Sequence, residues 1–83
     1  MGNAVLHENV VIITGASSGI GRALALQLAE QGAWLTLAAR NAERLESVAR
    51  DCQQRGGRAI GVRTDIAVEA DCQALIAKTM AEY

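Results

Sequence analysis

The 83-residue sequence predicts an α/β chain: a parallel sheet with helices on both faces, in the order β-α-β-α-β-α. Three observations predict it. Residues 10–13, "VVII", form an uninterrupted β-branched run, as a strand buried on both sides requires. Apolar residues then recur at helical spacing directly after it, and the same alternation repeats twice more with short connections. Strands that alternate with helices at this spacing pair in parallel through right-handed crossovers.

The elements follow in order. Residues 1–8 read as a short tail. After the first strand, Ile20, Leu24 and Leu28 recur every four residues with Ala23 and Ala25 beside them, and Gly32 stops the helix. Residues 34–39 form the second strand. Asn41 is placed to cap a second helix, whose Leu45, Val48, Ala49 and Cys52 share one face. Gly56 and Gly57 end it, and residues 59–63 make a short third strand. Val68, Cys72, Leu75, Ile76, Met80 and Tyr83 predict the inward face of a third helix, with Glu69 and Asp71 in its first turn, where the helix dipole favours them.

Composition narrows the function classes. Net charge is −1, and the seven arginines are scattered without interleaved aromatics, which argues against nucleic acid as a partner. Glu46 with Arg50, and Asp51 with Arg55, read as helix-spaced ion pairs on a solvated face. No apolar run approaches transmembrane length, and the start "MGNAVLHENV" lacks the basic and apolar segments of a secretory signal. Cys52 and Cys72 form no metal motif and fit a reducing compartment, so the expectation is a cytoplasmic chain with no metal. Both cysteines read as small core residues and Trp34 as packing, while His7 has no partner for catalysis. Sixteen alanines and the absence of Phe leave a thin core for a chain that buries about 60–65% of its unfolded surface.

The stretch "TGASSGIG", residues 14–21, carries the chemistry. Gly15 permits a tight turn as the chain leaves the strand. Gly19 lets a phosphate group reach the backbone, and Gly21 lets the helix pack closely on the sheet. Ser17 and Ser18 add hydroxyls, and Ile20 completes the set. Free amides at a helix start, together with its dipole, favour an anion there. The spacing G-x3-G-x-G is neither the common G-x-G-x-x-G nor a P-loop, since Arg22 follows Gly21.

This motif resembles the T-G-x-x-x-G-x-G cofactor signature of the short-chain dehydrogenases/reductases at every fixed position, and the similarity continues through "LAARN" and "TDI". The resemblance implies a Rossmann-type half of a doubly wound sheet with strand order 3-2-1. It implies NAD or NADP as cofactor and hydride transfer between the cofactor and a small carbonyl or alcohol substrate. Residues 9–83 would be the N-terminal part of the dinucleotide-binding domain. The second strand ends at Ala39-Arg40, where the ribose is read. An NAD site usually has a carboxylate there, whereas a guanidinium can fork onto a 2′-phosphate, so the expected cofactor is NADP rather than NAD. Ser18 stands where many NADP-using relatives have a second basic residue. By the same resemblance Asp65 accepts from the adenine amino group and Ile66 packs on the ring. Asp65 also stands in for the poor cap Ala67, and Thr14 holds the turn by hydrogen bonding.

The resemblance also shows what these residues do not supply. The family's proton donor is a Tyr with a Lys four residues later. Here the single tyrosine is Tyr83 and the single lysine is Lys78, so no Y-x-x-x-K exists and no catalytic residue is assigned. The expectation is the cofactor-binding portion of an oxidoreductase that is inactive alone and whose full-length form is a homo-oligomer. The alternatives are a non-catalytic NADP(H)-sensing module acting through a partner, or a product that binds nothing. Strand order 3-2-1 would leave the first strand, normally central, as an open edge, so weak folding or self-association is expected.

Overall fold

The computed structural model describes residues 3–7 and 10–83. The sheet runs β1 (Asn3–His7), β2 (Val10–Thr14), β3 (Trp34–Ala39), β4 (Arg58–Arg63), with α1 (Gly19–Glu30), α2 (Ala42–Gln54) and α3 (Glu69–Glu82) between and after the strands. Strands β2, β3 and β4 are parallel and in register, Val11 opposite Leu35 and Leu35 opposite Ala59. Read from its far edge, β4-β3-β2 is the expected 3-2-1 order.

The expected tail does not hold within the described residues. Asn3–His7 is a strand, antiparallel to β2, with its register shifting between Val5 and His7. Residues 1, 2 and 8 of that expectation, and Asn9 at the expected domain boundary, lie outside the described residues. The edge of β2 that a three-stranded half-sheet would leave open is therefore paired. Removing residues 1–7 should re-expose a strand whose four residues 10–13 are all buried, and exposed apolar edges recruit other chains. The shortened chain is expected to sediment as concentration-dependent oligomers where the intact chain stays smaller; an unchanged sedimentation profile would show that β1 does not guard the edge.

Side chains alternate across the sheet as its pleat demands. One face, with Val11, Ile13, Leu35 and Leu37, packs under Ala25, Leu26 and Ala29 of α1 and Leu45, Val48, Ala49 and Cys52 of α2. The other, with Ile12, Ala38 and half-buried Val62, meets Leu75 of α3. Asn41 caps α2 as read, its Oδ1 accepting from the Arg44 N–H at 3.0 Å. The predicted pairing of Asp51 with Arg55 is replaced by two bridges that tie α2 to α1. Asp51 takes Arg22 at 3.1 Å, and Arg55 takes Glu30. Being exposed, each contributes about 0–1 kcal/mol.

The face of α3 is the clearest correction. Leu75 and Thr79 are its buried residues, whereas Ile76 and Met80 are exposed and Val68 largely so. The helix is turned by a polar contact. Thr79 Oγ1 donates to the Leu75 carbonyl at 2.8 Å and is hydrogen-bonded to Thr36 Oγ1 at 2.9 Å, so the single polar residue inside β3 is satisfied from the helix packed over it. An apolar residue at 79 would leave Thr36 buried with an unmatched hydroxyl. Cys72 is likewise half-buried rather than a core residue, its thiol donating to the Ile66 carbonyl at 3.4 Å.

Candidate functional site

Parallel strands with alternating helices put their loops together at the carboxyl ends of the strands. A cleft of about 530 Å³ opens there, lined by Gly15, Ser17, Ala38, Ala39, Arg40, Asn41, Thr64, Asp65 and Ile66. Each wall comes from a different loop: after β2, after β3 and after β4. Of the residues singled out from sequence, Gly15, Ser17, Arg40, Asp65 and Ile66 meet in it; Ser18, Gly19, Ile20 and Gly21 lie at the adjoining head of α1 and do not line it.

The first wall is the glycine turn. Gly15 and Gly19 have φ of +65° and +60°, a left-handed backbone that other residues rarely adopt. Nothing lies within 4 Å of a Cβ built on either, so the space beside both is open. The turn is tied down by the Ala16 N–H, which donates to the Ala38 carbonyl of β3 at 3.2 Å. Ser18 is the N-cap of α1 in extended conformation, but its side chain makes no cap bond. The first helical bond is Arg22 N–H to the Ser18 carbonyl at 3.4 Å. The amides of Gly19, Ile20 and Gly21 thus precede the helical ladder, the arrangement that takes an anion.

Gly21 does something other than predicted. A Cβ there would sit 2.1 Å from the Gly15 carbonyl oxygen and 3.1 Å from Ala16 Cα. The close approach is between helix and turn, not helix and sheet. The glycine therefore locks the shape of the loop itself.

The second wall is the end of β3. Ala39 is half-buried and its side chain offers no acceptor, and the exposed Arg40 stands next to it with no ion pair among the described residues. The third wall follows β4. Thr64 is buried, its N–H donating to the Ala39 carbonyl at 2.9 Å and its hydroxyl to the Val62 carbonyl at 2.9 Å. Asp65 is half-buried and accepts the Ala67 N–H on Oδ1 at 3.0 Å; this bond lies within the loop and is not the helix cap read from sequence, since the N-cap of α3 is Val68, with no side-chain cap bond. Ile66 is 66% exposed at the mouth, an apolar surface with no cover from the chain. The cleft and the adjoining head of α1 together offer amides outside the helical ladder, a guanidinium with no ion pair among the described residues, a carboxylate and an uncovered aliphatic side chain. This set fits a ligand with phosphates, a further anionic group and a flat ring with a donor edge.

At the opposite end of the sheet, Arg58 lies over Trp34, 4.5 Å from the ring centroid, and near the ring of Tyr83. The two rings are 5.6 Å apart. The Tyr83 hydroxyl donates to the Leu35 carbonyl at 2.7 Å. Burial pushes its pKa up, opposed by the Arg58 charge. Tyr83 is a structural group remote from the cleft. Burial also raises the Cys52 thiol, with the Asp51 charge in support, which keeps it a protonated core residue. Among the described residues no group of His, Cys, Asp or Glu could hold a metal ion, and no helix is long and apolar enough to cross a membrane.

Comparison with known proteins gives the same assignment. The family model described as short chain dehydrogenase matches residues 9–83. An uncharacterized oxidoreductase of Listeria monocytogenes is 45% identical over 78 residues, covering 94% of this chain and 32% of that protein. The crystal structure of a hydroxysteroid dehydrogenase from Escherichia coli matches with a TM-score of 0.83 at 37% identity, over 86% of this chain and 30% of the other. A metagenomic short-chain oxidoreductase in complex with NADP matches with a TM-score of 0.84 at 35% identity, over 89% of this chain and 34% of the other. The chain thus spans about a third of the length of these relatives. With the fold, the glycine turn and the family match agreeing, this chain belongs to the short-chain dehydrogenases.

Proposed function

We propose that these residues form the NADP(H)-holding portion of an oxidoreductase that moves hydride between the cofactor and a carbonyl or alcohol. The observation that carries the reading is Arg40, without an ion pair among the described residues and set beside Ala39 at the rim of a cleft that adjoins the amides at the head of α1. In this reading the amides of Gly19, Ile20 and Gly21, with the hydroxyls of Ser17 and Ser18, hold the diphosphate. Arg40 takes the 2′-phosphate, and Asp65 and Ile66 take the adenine. When bound, the nicotinamide supplies or accepts the hydride. A relative solved with NADP supports the choice of cofactor.

Proton transfer to the developing alkoxide needs a donor near it. Tyr83 and Lys78 do not supply one, since Tyr83 is bonded to β3 at the far end of the sheet. The chain on its own is therefore expected to bind cofactor without turning over substrate. The same fact favours a second reading, a cofactor-sensing module that acts through a partner.

Titrating the 83-residue chain with NADPH, with NADH as control, tests the proposal through the change in nicotinamide fluorescence. Saturable binding with NADPH preferred by about tenfold or more is expected from one charge-assisted phosphate contact. Equal or absent binding overturns it. Oxidation of NADPH in the presence of aldehydes or ketones would refute the expected inactivity of the chain alone.

A further inference from the structure

The start of α3 contains a contact that the helix itself does not need. Val68 is the N-cap and Asp71 stands three positions into the helix. An acidic side chain there ordinarily reaches back to the N-cap amide, completing a capping box. Here that amide is already used: the Val68 N–H donates to the Asp65 carbonyl at 2.9 Å. Asp71 Oδ2 reaches past it and accepts the backbone N–H of Asp65 at 3.0 Å.

Asp65 is consequently held at three points. Its N–H is fixed by Asp71, its carbonyl by Val68 and its Oδ1 by Ala67. No hydrogen bond among the described residues engages its other carboxylate oxygen, Oδ2, and Asp65 lines the cleft. Fixing the backbone on both sides of Cα, and one of the two carboxylate oxygens, restricts how the side chain can present the other. We infer that Asp71 is a positioning residue for adenine recognition: it never touches the ligand, but sets the direction in which Asp65 Oδ2 accepts from the ring's amino group. This rests on the cofactor reading above. Glu69, in the same first turn, gives the contrast, because its carboxylate accepts from Gln73 and touches nothing in the loop.

The ligand pair that isolates this role is NADP+ and its hypoxanthine analogue, in which a carbonyl replaces the amino group, so that the 6-position becomes an acceptor and the remaining donor moves to N1. Binding of both is measured by calorimetry for the wild-type chain and for Asp71→Ala, Asp71→Asn and Glu69→Gln, alongside amide hydrogen exchange at Asp65 without ligand. The wild type is expected to prefer NADP+ by about tenfold, the range of one hydrogen bond to a charged group. In Asp71→Ala the preference falls toward one and the Asp65 amide loses protection. Asp71→Asn, which keeps an acceptor oxygen, retains both, and so does Glu69→Gln, which removes the same charge from the helix start without touching the contact.

A wild-type preference that survives in Asp71→Ala overturns the inference alone. So does an Asp65 amide that exchanges freely in the wild type. A wild-type chain that binds neither dinucleotide removes the cofactor reading, and this inference with it. Should Asp71→Ala fail to fold, the ratio in Asp71→Asn decides: an Asn that folds yet loses the preference shows that acceptance from the Asp65 N–H is not what orients the carboxylate.

Discussion

Gly21→Ala is expected to lose about 3 kcal/mol of stability, the upper range for forcing volume into a packed site, and with it all measurable dinucleotide binding. The added carbon would lie 2.1 Å from the Gly15 carbonyl oxygen, and both its nearest neighbours are backbone atoms of one residue. No rotamer change relieves such a contact; the turn or the helix must move. For a chain of 83 residues, total stability is on the order of 4–12 kcal/mol, so the loss takes a large share. Gly19→Ala is the useful comparison. There the space is open and the cost is a left-handed backbone, about 1–2 kcal/mol. That variant should remain folded and bind weakly, because the added carbon enters the region where the phosphates would sit. Urea unfolding followed by circular dichroism, with NADPH titration of each variant, checks both. A Gly21→Ala chain with the wild-type midpoint would mean that the turn is not the rigid feature it appears in the geometry above.

The contrast between these two glycines shows what the sequence could and could not convey. Residues 10–13 announced a buried strand because a β-branched run has few other uses, and Asn41 announced a helix start because its side chain supplies a missing acceptor. Those are local signals, and they fixed β2, β3, α2 and the position of the cleft. The turn at Gly15 is legible for the same reason, since a positive φ is a local demand; the positive φ of Gly19, read only as room for a phosphate, emerges with the structure. Gly21 signals close packing but not its partner, because which backbone it meets depends on how the turn folds back on the helix.

The remaining misses all involve partners distant along the chain. Periodicity put Ile76 and Met80 inside α3 because they are apolar. The observed face is set by Thr79, whose partner Thr36 is 43 residues away, and hydrophobicity alone cannot reveal a matched pair of hydroxyls. Asn3–His7 carries no strand signal of its own; its place depends on the unpaired edge of β2. The helix-spaced pair Asp51 and Arg55 was a sound local guess overruled by Arg22 and Glu30 across the α1–α2 interface. Asp71 was read as a favourable charge in a first turn. Its bond to the Asp65 amide becomes visible only once the loop after β4 is in place.

Arg40→Ala is expected to weaken NADPH binding by about 10- to 100-fold, the range for charge-assisted hydrogen bonds to a phosphate, while NADH binding stays within about twofold. The guanidinium is exposed at the rim, so the loss falls on affinity and not on folding. Arg40→Lys should recover only part of it, because an ammonium supplies charge without the planar fork. Ionic strength gives an independent reading. Salt screens an exposed charge pair, so wild-type affinity for NADPH should fall as salt rises, and the Arg40→Ala chain should lose most of that dependence. Ala39→Asp takes the opposite route, placing a carboxylate where the ribose is read: it would accept from a 2′-hydroxyl and repel a 2′-phosphate, moving preference toward NADH. If Arg40→Ala leaves the NADPH to NADH ratio unchanged, the second wall of the cleft does not read the extra phosphate. The amides of the glycine turn would then bind either dinucleotide alike, because a diphosphate is all that they can sense.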